Sequence, residues 1–375
     1  MSKRRRKIAV LQVHDSNVLA WRGHLLQEMV ARGHEVAVYL PSAAPQVVEG
    51  LRAIGVTCLQ FGLNRAGISP LGDVGSLNHL RRAFHATHVD LVFGFSAKPI
   101  IYGSFAARAA GVPDIFSLVE GAGYTFSSVD LRARCLRLLV ARLYRMSFAF
   151  NRKVFFLNPD DRELFCDMRL VKGREQCVLL NGIGVDLTAY QPAPLPSRPA
   201  VLMIARLLKL KGVREYVAAA RIIRAKYPDV IFRLLGRTES HPDAIAERDL
   251  QAWVEEGLVE YLGWQDDVRP AIAASTLFVL PSYLREGTPR STMEALAMGR
   301  PVVTTDNPGC RETVEHGTNG YLVPVRDVPA LAEAIEHFIT HPEQAAPMGR
   351  ASRRLAEMKF DVCAVDQLIL DTMGI

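Results

Sequence analysis

Two glutamates eight positions apart, Glu286 and Glu294, stand in the stretch Pro281-Ser282-Tyr283-Leu284-Arg285-Glu286-Gly287-Thr288-Pro289-Arg290-Ser291-Thr292-Met293-Glu294-Ala295-Leu296-Ala297. An apolar run at 277–280 precedes it and a helical pattern follows, so it reads as strand, loop and helix. Thr288 suits the N-cap and Pro289 the first helical position, with Glu286 in the loop and Glu294 one to two turns into the helix. On one continuous helix this spacing would send the carboxylates to different faces. A loop followed by a helix lets both address one ligand. Backbone N–H groups near Arg290 and Ser291, at a helix start, suit a phosphate or diphosphate, and an ionised carboxylate accepts hydrogen bonds from vicinal hydroxyls of a ribose or a sugar. The same glutamates also fit a solvated loop acid and an ordinary acid near the positive end of the helix dipole.

A second set follows the run at 201–204: Ala205-Arg206-Leu207-Leu208-Lys209-Leu210-Lys211-Gly212. Arg206 can contact diphosphate oxygens directionally, and Lys211 adds a compact charge ahead of the next helix. Together they can stabilise the charge that develops as a nucleoside diphosphate leaves; a solvated basic loop is the plainer alternative. The sequence has no D-x-D triplet, and its histidines form no HExxH. Phosphate neutralisation by Arg, Lys and backbone groups is therefore expected, with no obligatory metal or other cofactor.

Apolar runs at 8–13, 35–40, 56–58, 90–95, 114–119 and 153–157 read as strands, with segments such as 23–32 and 100–110 long enough for crossover helices. Prolines 192, 194, 196 and 199 interrupt the pattern, which resumes with strands at 201–204, 230–235, 259–262, 277–280, 301–305 and 321–323. The expected organisation is a first Rossmann-like domain over 1–187, a linker over 188–200, a second Rossmann-like domain over 201–357 and a C-terminal helix over 358–375. Two such doubly wound α/β domains, facing one another, would place a site in a central cleft at the carboxyl ends of their strands. Neither first strand is followed by GxGxxG, which argues against a dinucleotide redox enzyme.

Hydrophobic residues at 49% and charged residues at 22% fit a folded chain with a large core, and the net charge of +6 favours anionic partners. The six cysteines form no CxxC pair, as expected of reduced thiols. The basic start Lys3-Arg4-Arg5-Arg6-Lys7 precedes an apolar run too short for a secretory signal, and no run approaches the length of a spanning helix. A cytoplasmic location is expected.

Arg206, Lys211 and the Glu286-x7-Glu294 spacing, followed by Gly299-Arg300-Pro301-Val302-Val303 and Asn319-Gly320-Tyr321-Leu322-Val323, resemble a retaining glycosyltransferase of family 4. The resemblance spans both halves and is strongest from about 200 to 340. It implies the two-Rossmann GT-B fold, metal-independent transfer from a nucleotide sugar, and retention. It further implies that Arg206 and Lys211 bind the diphosphate, Glu286 holds the donor sugar, Glu294 holds the ribose, and Gly287, Thr288, Pro289 and Arg290 supply adjacent contacts. A departure concerns Glu120, which stands where the family often has histidine. The segment 120–126 resembles the subgroup acting on polyprenyl-diphosphate-linked sugars, which implies a UDP-sugar donor and a lipid-linked saccharide acceptor. Glu120 fits either an acceptor-orienting role or a local turn.

Residues 131–153 carry seven bases, Arg132, Arg134, Arg137, Arg142, Arg145, Arg152 and Lys153, and no acid. Helical projection puts Arg134, Arg137 and Arg145 on one flank and Leu131, Cys135, Leu136, Leu139 and Leu143 on another. With the basic start, this helix can meet an anionic membrane surface without spanning it; alternatively its apolar side packs on the sheet. No nucleic-acid-binding signature is present, so nucleic acid is not an expected partner. A GT-B epimerase, a phosphorylase and a noncatalytic carbohydrate-binding protein are the rival readings.

Overall fold

Parallel strands covered on both faces need nearly continuous apolar residues. The computed structural model describes residues 5–15, 18–62, 70–122, 131–239 and 241–375, and of residues 70–73 and 131–136 only the backbone. In the first sheet, β1 (Lys7–Leu11), β2 (Glu35–Leu40), β3 (Thr57–Gln60), β4 (Leu91–Phe95), β5 (Asp114–Val119), β6 (Lys153–Phe156) and β7 (Cys177–Leu179) run parallel in the order β3-β2-β1-β4-β5-β6-β7. Every residue of β4 and β5 is buried, and Phe93 meets Phe155 of the neighbouring region with ring centroids 5.7 Å apart.

The second sheet contains β8 (Ala200–Ile204), β9 (Ile231–Leu235), β10 (Glu260–Tyr261), β11 (Leu277–Leu280), β12 (Val302–Thr305) and β13 (Gly320–Val323), ordered β10-β9-β8-β11-β12-β13 and parallel throughout. Both sheets are doubly wound. Strand order reverses between β1 and β4 in one and between β8 and β11 in the other, and it is beside such a reversal that the loops part and leave room for a ligand. The loops after β8 and β11 carry the two chemical sets singled out above.

The chain divides into one unit of residues 1–180 and 363–375 and a second of residues 181–362. The helix Val362–Met373 docks on the first unit almost from its start: His24 Nδ1 lies 2.7 Å from buried Asp366, and Arg32 donates to the Ile375 carbonyl at 2.9 Å. The proline-rich residues 188–200 lie in the second unit. Arg300, fully buried, holds them there by donating to the Ala193, Pro194, Ile272, Ala273 and Met298 carbonyls at 2.6–3.2 Å. Burial lowers its pKa to about 10, which leaves the guanidinium charged at neutral pH.

The helix Leu131–Phe148 buries Ala141, Tyr144, Ser147 and Phe148. Leu139, on the flank that projection makes apolar, is 46% exposed, because the buried face turns through Tyr144 and Phe148 toward Phe165. The side chains of Leu131, Arg132, Arg134, Cys135 and Leu136, and residues 1–4 and 123–130, lie outside those described. Among the described residues, no helix is long and apolar enough to cross a membrane.

Candidate active site

The loop after β8 and the loop after β11 are stitched together by one carbonyl. Leu210 O accepts Tyr283 N at 2.9 Å, Leu284 N at 3.1 Å and Ser282 Oγ at 3.3 Å. Gly212, at φ +79, allows this approach, since a Cβ there would lie 2.1 Å from Pro281 O. The stitching delivers Lys211 Nζ to Glu286 Oε1 in a hydrogen-bonded ion pair whose two side chains are each 12% exposed. Ser282 Oγ lies closer to Glu286 Oε1, at 2.9 Å, so its one hydroxyl hydrogen is shared between that carboxylate and the Leu210 carbonyl. A largely covered carboxylate and ammonium paired in this way hold one another in place. Such a pair can hand its donors and acceptors to a ligand without first having to order them.

From the other side the Glu286 turn rests on Gly309, which sits at φ +82 with the Glu286 and Gly287 carbonyls 2.5 Å from where a Cβ would stand. Next to it, burial and the Glu286 charge push the Cys310 thiol up to about 12, so this thiol is protonated and inert. Gly309→Ala is expected to displace the Glu286 turn and lower kcat/KM for transfer about a hundredfold, as misplacement of about an ångström does elsewhere. Steady-state kinetics check this, with circular dichroism to confirm a retained fold.

The helix Arg290–Ala297 opens one residue later than its sequence suggests. Pro289 is the N-cap, extended at ψ 123, and its carbonyl takes both Thr292 Oγ1 and Met293 N. Thr288 is therefore not the cap; its hydroxyl donates to Gly287 O at 2.9 Å. Glu294 lies in the first turns, buried, and accepts Arg290 Nε at 2.7 Å and Tyr190 OH at 3.0 Å. Burial first, then the Glu294 charge, raises the Tyr190 phenol's pKa, so that it remains a donor. Arg206 is half-exposed, and its Nη1 lies 3.5 Å from Glu239.

The first unit gathers its own polar group at strand ends. Glu120, directly after β5, accepts Arg22 Nη2 at 2.7 Å and Ser96 Oγ at 2.6 Å. The Arg22 side chain is 3% exposed and its guanidinium also lies 4.3 Å from the Phe95 ring centroid. Ser96, directly after β4, takes φ +67, a conformation that non-glycine residues rarely adopt. Neither Arg22 nor Tyr190 was singled out from sequence. Their partners are 98 and 104 residues away, beyond any local spacing signal. Among the described residues, no group of three or more His, Cys, Asp or Glu side chains is placed to hold a metal ion.

A family described as "Glycosyl transferase 4-like domain" matches residues 22–182, and one described as "Glycosyl transferases group 1" matches residues 198–341. The protein is a GT-B glycosyltransferase related to family 4. The transferase is 27% identical, over 88% of each chain, to the N,N'-diacetylbacillosaminyl-diphospho-undecaprenol alpha-1,3-N-acetylgalactosaminyltransferase of Campylobacter jejuni. It is 28% identical, over 72% of its own length and 71% of the relative's, to the UDP-Gal:alpha-D-GlcNAc-diphosphoundecaprenol alpha-1,3-galactosyltransferase of Escherichia coli. Its fold matches the crystal structure of Anabaena HepE in complex with UDP at a TM-score of 0.79, with 20% identity and 98% and 99% of the chains covered.

Proposed function

We propose that the transferase moves an N-acetylhexosamine or a hexose from a UDP-sugar to a hydroxyl of a polyprenyl-diphosphate-linked saccharide, with retention, as a step of surface polysaccharide or glycan assembly. The observation that carries this reading is the largely covered Lys211–Glu286 pair beside the β8–β11 reversal, a preset combination of charge and acceptor at a strand end. The undecaprenol-diphosphate acceptors of the Campylobacter and Escherichia relatives support the acceptor class, and the UDP-sugar of the latter supports the donor.

In this reading Arg206 and Lys211 bind the diphosphate, Glu286 the donor sugar and Glu294 the ribose hydroxyls, with Gly287, Thr288, Pro289 and Arg290 contributing contacts around the helix start. As the bond from the anomeric carbon to the phosphate oxygen breaks, negative charge grows on the diphosphate and the two cations stabilise it. The acceptor oxygen bonds to the same face of the sugar, and its proton passes to a leaving phosphate oxygen. The chain's contribution is position and charge, with no covalent intermediate required. Glu286 and Glu294 are not the flanking acid and base of a glycoside hydrolase. The first unit takes the acceptor, and Glu120, held by Arg22 and Ser96, orients its hydroxyl. The transferase works at the cytoplasmic face of a membrane, held peripherally by the basic helix Leu131–Phe148.

A screen of nucleotide sugars against lipid-diphosphate saccharides, read by product mass and anomeric configuration, tests the assignment. Turnover of a nucleotide sugar without an acceptor would point to an epimerase, and a requirement for orthophosphate to a phosphorylase. Glu294→Gln removes the negative charge and one of the two acceptor oxygens offered to the ribose hydroxyls and loosens the Arg290 and Tyr190 contacts, so the donor KM is expected to rise about tenfold while kcat stays within a few-fold. Initial rates over a range of donor concentrations separate the two.

A further inference from the structure

At the amino end of the first sheet, where the helices Leu131–Phe148 and Pro159–Asp167 return before β6 and β7, lies a surface cavity of about 470 Å³. Arg145, Arg169 and Lys172 reach it, and Ala149, Leu170 and Val171 give it apolar walls. All three cations are exposed, and no carboxylate pairs with them among the described residues. Glu163 is already engaged by Arg162 and Arg174, Asp167 does not line the cavity, and the Glu175 carboxylate packs against Gly173 at the cavity's edge, leaving three cations facing one nearby acid. This end of the unit is opposite to the strand ends that carry Ser96 and Glu120.

Arg169 is there at a conformational cost. The helix Pro159–Asp167 ends with Arg169 N donating to Cys166 O and Leu170 N to Phe165 O, and Arg169 holds φ +53. Helices that finish in this way favour glycine at the left-handed position. The chain instead places a long cation there and turns it into the cavity beside Arg145 and Lys172.

The outer face of the helix Leu131–Phe148 continues the same surface. Leu138 is 67% exposed, Leu139 46% and Met146 57%, and Phe150 just beyond is 39% exposed, with Arg142 and Arg145 interleaved. Apolar side chains able to enter an acyl boundary, beside cations at headgroup level, match an anionic bilayer. We propose that the cavity seats the phosphate of an anionic membrane lipid between Arg145, Arg169 and Lys172, while Leu138, Leu139, Met146 and Phe150 enter the adjoining lipid. This rests on the peripheral-membrane reading and gives it a defined headgroup site remote from the proposed acceptor group.

The test uses the full chain and vesicles of phosphatidylcholine with or without phosphatidylglycerol. Arg145→Gln, Arg169→Gly and Lys172→Gln are each expected to weaken partition onto the anionic vesicles about fivefold, and the triple variant to abolish it at moderate salt. Arg169→Gly keeps the backbone that the turn prefers, so its thermal midpoint should equal or exceed the parent's, and its transfer to a water-soluble acceptor should be unchanged. A parent protein that ignores anionic vesicles overturns the membrane reading and the cavity with it. Parent binding that survives in all three variants overturns the cavity alone. Release from vesicles by micromolar inorganic phosphate assigns the cavity to a soluble anion and overturns the lipid.

Discussion

Replacing Lys211 by alanine is expected to lower kcat/KM for transfer about a thousandfold, the scale seen when a preorganised donor to developing charge is removed. Two losses combine. The leaving diphosphate loses a cation, and Glu286 loses the ion pair that fixes it, although Ser282 Oγ still reaches it at 2.9 Å. Because both side chains are only 12% exposed, water does not replace the missing ammonium as it would at a surface. Arg206→Ala also impairs transfer strongly, but its half-exposed guanidinium leaves space for solvent, so a loss nearer a hundredfold is expected. Single-turnover rates at saturating donor separate a chemical defect from weak binding. A Lys211→Ala enzyme within tenfold of the parent contradicts the proposed role.

Arg300→Met is expected to destabilise the second unit by about 4 kcal/mol, because it strands buried carbonyls that the guanidinium now satisfies. Five carbonyls from three separate stretches converge on this one side chain. A methionine fills part of the volume and none of the hydrogen bonds. The thermal midpoint should fall by on the order of 10 °C. Arg300 precedes β12 at its amino end, whereas the candidate site lies beyond the carboxyl ends of β8 and β11. Kinetics at a temperature where the variant is folded should therefore match the parent. A drop in activity without a drop in stability would mean that Arg300 acts on the site itself.

The parts of the site readable in the sequence were those built from consecutive residues. Glu286, its turn and the helix carrying Glu294 follow an apolar strand within one short stretch, and periodicity locates all three. The helix start was displaced by one residue because the Pro289 carbonyl, and not the Thr288 hydroxyl, organises the first turn. The three-residue strand β7 is too short for its pattern to stand out from a loop. What the spacing could not reveal is long-range pairing. Tyr190 on Glu294 and Arg22 on Glu120 exist only once the chain has folded, and a tyrosine among prolines or an arginine on an amphipathic helix carries no mark of its distant partner. On the helix Leu131–Phe148, projection found two faces but not which would be covered, since Tyr144 and Phe148 decide that by meeting Phe165.

The first unit draws its last helix from residues 363–375, so a ribosome must finish the whole of the second unit before that helix exists. At translation rates of roughly 5–20 residues per second, the nascent first sheet waits on the order of ten to forty seconds with the surface around His24 and Arg32 uncovered. The second unit, continuous from 181 to 362, suffers no such delay and can fold first, although it is made later.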